Sequence, residues 1–598
     1  MGIFENLSRE WTFLSGSMRM LKLVKDLTPE TPRTVTDLME ATVRAHADNP
    51  AILFEGTTLT WRQLDQMANR MARVALDLGI GRGDVVALLM ENRPEFIATW
   101  YGLHKIGAVA ALINTNLAAA PLAHSIGISG ARHIVLGSEL ADRYATARPL
   151  LENAPMVLAT GGRVEASEDL DAALAAKAPA PVPPSYREGI LAKDKALYIY
   201  TSGTTGMPKA ANISHLRMQN MFAAFAGSTK GTSRDIMYNV LPLYHSAGGV
   251  CALAPAIHAG GAILIKRKFS VSQFWDDCAT YKPTLFQYIG ELCRYLLNAP
   301  PHLKERSHSL RIAIGNGLRP EIWPAFQERF RIPHIIEFYG ATEGNVALLN
   351  LDGKTGAIGR VPKYLRKKIQ VRLVRFDIES EQPVRDPKTG FCIECAPGEA
   401  GEAIGKIDSS DPRTSFEGYT RQADSEKKLL RNVFEKNDLW FRTGDLLKAD
   451  ERGYFYFVDR IGDTFRWKGE NVATSEVAEA ISVYPGVKEA NVYGVKVEGA
   501  DGRAGMASIV AGPEFRMEGL NAHLEKQLPA YARPLFIRLS PEMEITGTFK
   551  HRKVELVKEG FNPGTIAEPL CFLEPSAQAY VPMDGALHAR IVSGEFKF

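Results

Sequence analysis

The sequence predicts an α/β protein of more than one domain, and three observations predict it. A chain of 598 residues is too long for a single hydrophobic core. Helical and strand patterns alternate through most of it. The apolar strand pattern Tyr454-Phe455-Tyr456-Phe457-Val458 runs into Asp459-Arg460-Ile461-Gly462-Asp463, a polar, glycine-bearing segment of the kind that separates domains. The boundary is placed there, giving domains of residues 1–461 and 462–598. The second holds about a fifth of the chain, enough for a small α/β unit.

The alternation is explicit near the start. Residues 60–78 carry Leu64, Met67, Met71, Val74 and Leu78 at helical spacing, Gly79, Gly81 and Gly83 break the pattern, and Val85-Val86-Ala87-Leu88-Leu89 reads as a buried strand. Similar units recur at residues 131–136 and 261–265, with no fixed-period repeat that would indicate a solenoid or propeller. The proline-rich stretch 172–185 reads as a surface connector leading into a strand at residues 196–200.

Composition is that of an ordinary globular chain, 45% apolar and 23% charged. The net charge of +3 does not announce a nucleic-acid binder, whose basic residues would dominate a face, and it leaves room for local basic patches. Two such clusters, Lys266-Arg267-Lys268 and Arg366-Lys367-Lys368, motivate peripheral contact with anionic lipid. Six cysteines at 251, 278, 293, 392, 395 and 571 are too sparse for a disulfide framework and fit a reducing compartment. Cys392 and Cys395 have CxxC spacing without a second pair or histidines to close a zinc shell. The first 25 residues lack the apolar run and cleavage site of a secretory signal. The most apolar long stretch, residues 96–115, is interrupted by His104 and Lys105, so no transmembrane span is expected.

Directly after the strand at 196–200 comes Thr201-Ser202-Gly203-Thr204-Thr205-Gly206-Met207-Pro208-Lys209. Four hydroxyls, two glycines and a lysine in nine residues make a phosphate-handling loop. Glycines admit close backbone approach, hydroxyls and N–H groups donate to phosphate oxygens, and Lys209 adds positive charge. It is not a Walker loop. This string resembles the signature of the adenylate-forming superfamily of acyl-CoA synthetases, peptide-synthetase adenylation domains and luciferases.

Further strings follow in the superfamily's order. Glu337-Phe338-Tyr339-Gly340-Ala341-Thr342-Glu343 resembles a motif in which an aromatic ring packs on adenine, threonine meets phosphate and glutamate holds Mg²⁺. The resemblance assigns these roles to Tyr339, Thr342 and Glu343, with Glu337, Phe338 and Gly340 beside the nucleotide. Gly315-Asn316-Gly317 sits where the family has a small-residue turn bordering adenine and the acyl group. Trp440-Phe441-Arg442-Thr443-Gly444-Asp445 is similar to the family's ribose-binding motif, which gives the ribose hydroxyls to Asp445. Arg460 matches a ribose- and phosphate-binding arginine. Ile545-Thr546-Gly547-Thr548-Phe549-Lys550 resembles the segment carrying the catalytic lysine, Lys550.

The wording of YIYTSGTTGMPKAA, EFYGATEGN, GDTFRWKGENV and ITGTFK is similar to that of the fatty acid transport protein and very-long-chain acyl-CoA synthetase family, over about residues 35–575. The resemblance implies an acyl-adenylate synthetase fold: a large N-terminal domain of α/β subdomains with a small β-barrel-like subdomain, then a small mobile C-terminal domain. It implies a ligase that joins a fatty acid to coenzyme A at the expense of ATP with Mg²⁺, in the cytoplasm or on the cytoplasmic face of a membrane. Uptake by vectorial acylation and ligation of another bulky acid stay open as alternatives, as does a homodimer. Trp467, Lys468 and Gly469 would line a pantetheine tunnel, and the domain pivot would fall at Gly462, where many relatives carry Asp or Lys. His245, Tyr288 and Gly290 lie in strings that border the acyl site.

Overall fold

The computed structural model describes residues 3–201, 207–408, 411, 414–498, 500, 502–543 and 553–596, with side chains from residue 7 onward. Of the expected site residues, Ser202, Gly203, Thr204, Thr205, Gly206 and Lys550 lie outside the described residues. The chain divides into two compact units. The first comprises Met1–Leu318, Pro324–Gly359 and Lys406–Leu429; the second comprises Arg319–Trp323, Arg360–Gly405 and Leu430–Phe598. The expected 461/462 division falls inside the second unit.

The first unit holds two large sheets. One has seven strands in the spatial order Glu168–Asp169, Met156–Thr160, His133–Gly137, Val85–Leu89, Val109–Leu112, Lys195–Thr201 and Lys209–Ser214. The other has eight, ordered Ala347–Asn350, His334–Gly340, Ile312–Asn316, Leu285–Ile289, Ile236–Asn239, Ala262–Ile265, Pro50–Phe54 and Thr57–Thr60. Both are parallel except at their edges, as crossover helices between strands require.

The local signals explain these elements. The helix Trp61–Asp77 starts where Thr60 and Gln63 cap one another reciprocally. Its apolar positions, including Leu64, Met71 and Val74, are buried. The apolar stretch 96–115 is the helix Pro94–Lys105 followed by the strand Val109–Leu112, both buried. Its interrupting charge is neutralised in place: Lys105 Nζ lies 3.0 Å from Glu40 and 2.8 Å from Asp65, as a buried ammonium demands. No described helix is long and apolar enough to cross a membrane.

In the second unit, Tyr454–Arg460, Leu439–Ala449, Ala400–Lys406 and Val371–Val374 form the consecutive strands of the small barrel-like sheet. A five-stranded sheet of Val487–Val495, Ala504–Ala511, Phe536–Leu539, Leu570–Glu574 and Ala579–Pro582 builds a separate core around Ile509, Phe536 and Phe572. The strand read from residues 454–458 continues through Asp459 and Arg460. Asp459 stays in it because its buried carboxylate accepts from the Thr474 backbone N–H at 2.6 Å and the Thr474 hydroxyl at 3.1 Å.

Candidate active site

Three adjacent parallel strands of the eight-stranded sheet, Leu285–Ile289, Ile312–Asn316 and His334–Gly340, end together and carry Tyr288 to Gly290, Gly315 to Gly317 and Glu337 to Gly340. Carboxyl ends of parallel strands are where open α/β sheets bind ligands. Packing at this edge leaves room only for glycine. A Cβ on Gly290 would sit 1.7 Å from the Gly317 carbonyl oxygen, and one on Gly315 would sit 2.2 Å from that of Tyr288. Asn316, at the end of its strand, is half-buried.

Glu337 ties this edge together. One carboxylate oxygen accepts from the backbone N–H groups of Gly317 and Leu318; the other meets the Tyr288 hydroxyl. Burial pushes the Glu337 carboxyl up to about 8. Glu337 and Tyr288 are fully buried and satisfied by protein groups, so they hold the strand ends. Phe338 is half-buried and packs edge-to-face on Phe225 at 4.8 Å. Tyr339 is half-buried and Gly340 exposed.

The loop beyond Gly340 is held by residues that no motif marked. Arg217, in the first turn of the helix His215–Thr229, donates to the carbonyls of Ala341, Thr342 and Gly344. The Tyr419 hydroxyl donates to Glu343 Oε1 at 2.7 Å. The Thr342 hydroxyl lies 3.2 Å from that of Ser246. His245 and Ser246 immediately precede a single π-turn, Ala247–Cys251, whose Gly248 and Gly249 pass so close to the Pro242 and Leu243 carbonyls that any Cβ would collide. Such π-turns cluster at functional sites. His245 is half-buried, and its Nδ1 accepts from the Ala247 backbone N–H.

Thr201 and Lys209, the first and last residues of the glycine-threonine string, pair across adjacent antiparallel strands. Lys209 Nζ lies 3.1 Å from Asp424 and 5.5 Å from the centre of the Tyr419 ring. Lys209 and Glu343 therefore share Tyr419. Tyr419 sits beside the strand Lys209–Ser214 through its bridge to Ala211.

In the second unit, Asp445 and Arg460 are directly opposed on paired strands, with Arg460 Nε 3.9 Å from the carboxylate. Thr443 donates to the Ala403 carbonyl and accepts from the Asp445 N–H, which fixes the approach to Asp445. Lys468 and Gly469, with φ of +52° and +79°, form the tip of the hairpin Phe465–Trp467 to Glu470–Val472. Positive φ at both turn residues suits a tight hairpin. The tip is exposed, whereas Trp467 is in the core of the unit. Of the expected tunnel segment, then, the tip alone is presented to solvent.

Residues 39–402 match the AMP-binding enzyme family, and residues 476–550 match the AMP-binding enzyme C-terminal domain. The chain is 42% identical to long-chain fatty acid transport protein 1 of Mus musculus, over 94% of this chain and 88% of that one. The chain belongs to the AMP-binding enzyme family, in its fatty acid transport protein branch. It is also 42% identical to long-chain fatty acid transport protein 2 of Rattus norvegicus, over 94% and 92% of the two chains. Among solved structures, the anthranilate CoA ligase AuaEII in complex with anthranoyl-AMP aligns with a TM-score of 0.74 at 21% identity, covering 89% of this chain and 98% of that one. The fold is thus that of the adenylate-forming enzymes.

Proposed function

We propose that this member of the AMP-binding family is an ATP-dependent ligase that joins long or very long fatty acids to coenzyme A through an acyl-adenylate. The observation that carries the reading is the strand-end edge where Gly315 pairs with Glu337, on the strand that leads into the Thr342–Glu343 loop braced by Arg217 and Tyr419. Backbone and hydroxyl donors, a buried carboxylate and a half-buried aromatic ring are the kinds of group that binding an adenylate would call for. The long-chain class rests on the names of the curated relatives.

In the first half-reaction the acid's carboxylate oxygen attacks the α-phosphorus of ATP. The new acyl–O–P bond forms as the bond to pyrophosphate breaks. In the second, the CoA sulfur attacks the acyl carbonyl, the bond to AMP breaks and the thiol proton is released. Thr342 and the loop 201–209 would donate to phosphate oxygens, Asp445 and Arg460 would take the ribose, and Lys550 would place positive charge on the α-phosphate as negative charge develops.

Glu343 fits a magnesium ligand by donor chemistry. No group of three or more His, Cys, Asp or Glu able to hold a metal exists among the described residues, and Mg²⁺ is commonly held by one or two carboxylates with phosphate oxygens completing the shell. The ion would neutralise triphosphate charge, and Tyr419 would keep the Glu343 carboxylate oriented toward it. Residues 462–598 would form the mobile lid, with Gly462 as pivot and Lys468 and Gly469 beside pantetheine.

The test is to supply MgATP, CoA and acids from eight to twenty-four carbons and quantify AMP and acyl-CoA together. Matched products from long acids, with a loss of about 10²–10³ in rate for Lys550→Ala, are expected. AMP without thioester would assign another acceptor. Absence of both products with every acid would overturn the ligase reading.

A further inference from the structure

We propose that Lys428 is a further phosphate-binding residue, whose ammonium meets the pyrophosphate end of the nucleotide beside Glu343. The identity of that ligand rests on the ligase reading above. The loop that carries Lys428 is built onto the edge of the seven-stranded sheet. Residues 418–420 run antiparallel to the strand Lys209–Ser214: Tyr419 bridges Ala211, the Asn212 N–H donates to the Gly418 carbonyl, and the Thr420 N–H donates to that of Ala210. Glu417 anchors the start of the loop, its carboxylate accepting from the Ser214 N–H at 2.7 Å and the Ser214 hydroxyl at 2.5 Å. The short helix Gln422–Glu426 then turns the chain back. Ser425 fastens both ends of the turn. Its hydroxyl accepts from the Tyr419 N–H at 2.8 Å, and its carbonyl accepts from the Lys428 N–H at 3.0 Å.

That closure brings two side chains to one acid. The Tyr419 hydroxyl and the Lys428 ammonium both face Glu343 Oε1, at 2.7 and 4.0 Å. From the same loop, Asp424 holds Lys209, the cation that ends the glycine-threonine string, at 3.1 Å. Adjacent Lys427 is exposed, whereas Lys428 is half-buried. At 4.0 Å the ammonium is within Coulomb range of Glu343 but beyond hydrogen-bond length, so it is attracted to this acid without being bonded to it. When the site is loaded, Lys428 loses attraction to Glu343, whose charge a metal then shares, and gains it toward the phosphate oxygens that arrive with the metal. The motifs assign adenine to Tyr339 and phosphate to Thr342, Glu343 and the string ending at Lys209. A cation on the loop that joins Glu343 to Lys209 therefore serves the phosphate end. As the bond between the α- and β-phosphates breaks, its electron pair goes to the pyrophosphate oxygen, and the Lys428 charge stabilises that oxygen.

The test is calorimetric titration of the full-length protein with inorganic pyrophosphate in the presence of Mg²⁺, and separately with AMP, which lacks the outer phosphates. The variants are Lys428→Gln, Lys428→Met, Lys428→Arg and, on the exposed neighbour, Lys427→Gln. Circular dichroism reports that each variant folds, and two neutral side chains of different shape guard against a packing failure in one. Both neutral variants should bind pyrophosphate about tenfold more weakly, with AMP affinity within about twofold of wild type. Lys428→Arg should recover most of the loss, and Lys427→Gln should match wild type. Unchanged pyrophosphate affinity in a folded neutral variant overturns the proposal. An equal loss of AMP affinity overturns it too, since Lys428 would then only brace the Glu343 loop, as does a wild type that takes up no pyrophosphate. Failure of the ligase reading looks different: pyrophosphate binding that depends on Lys428, with neither AMP nor acyl-CoA formed from any acid, would remove the ligase and leave the phosphate site standing.

Discussion

The hydroxyl of Tyr419 donates to Glu343 Oε1 at 2.7 Å, across 76 residues of sequence. Glu343 is 7% exposed, so its orientation matters more than its presence: a buried carboxylate that swings to another rotamer would lose its line to a metal-bound triphosphate. Tyr419→Phe keeps the ring, and its place near Lys209, while deleting that donor. Removing a partner that orients a metal ligand typically costs about 10–100-fold in metal affinity or activity. Mg²⁺ titrations of pyrophosphate release should show a raised metal requirement for Tyr419→Phe, and an unchanged titration would remove Tyr419 from the site.

Arg217 makes a parallel argument with backbone instead of side chain. It donates to three carbonyls of the loop that carries Thr342 and Glu343. Lysine offers one point charge where the guanidinium offers a fork, so Arg217→Lys should not restore the wild-type loop. Arg217→Ala should lower stability by about 2–3 kcal/mol, since hydrogen bonds to a charged donor are worth roughly 1.5–3 kcal/mol and do not add in full. Urea unfolding read beside the KM for ATP checks this. Lysine matching arginine on both readouts would refute the fork.

Glu337 predicts a pH dependence. Burial raises its carboxyl from 4.5 to about 8, so the folded protein keeps a proton that the unfolded chain releases above about pH 4.5. A raised folded value gives stability that is fully present below the unfolded value and lost as pH rises through the folded one. Wild-type stability should therefore fall between about pH 5 and 8 by a few kcal/mol. Glu337→Gln, which can still accept from Gly317 and meet Tyr288, should flatten that slope. Unfolding free energies at several pH values, identical in slope for the two proteins, would refute the assignment.

How far all this was legible in the sequence depends on the distance between the residues involved. The strand-end edge was legible because each strand delivers its residues as a local string, and parallel pairing brings Tyr288, Gly315 and Glu337 into register. The Glu337 string, however, read as a ligand-facing motif, whereas its carboxylate is satisfied by Gly317, Leu318 and Tyr288. Arg217 and Tyr419 were not legible, since their partners lie 125 and 76 residues away in the chain and no local pattern announces them. Asp459-Arg460 read as the start of a polar, glycine-bearing boundary segment, yet the strand runs through both, and a buried aspartate there is costly on its own. Thr474 removes that cost by donating to Asp459.

Gly462 supplies the last prediction. It holds φ at +96°, and a Cβ there would meet nothing within 4 Å. A side chain is excluded by backbone conformation rather than by contact, and such a position costs an L-residue about 1–2 kcal/mol while leaving the packing of the second unit untouched. If the pivot proposed for the lid is here, Gly462→Ala should bias the backbone toward negative φ and narrow the range of motion without disturbing either set of nucleotide residues. Single-turnover pyrophosphate release should then stay within about twofold of wild type, while transfer of the acyl group to CoA slows by about tenfold, the rate equivalent of 1.4 kcal/mol. Equal slowing of both half-reactions would mean that the substitution distorts the fold. No slowing of either would move the pivot to another residue.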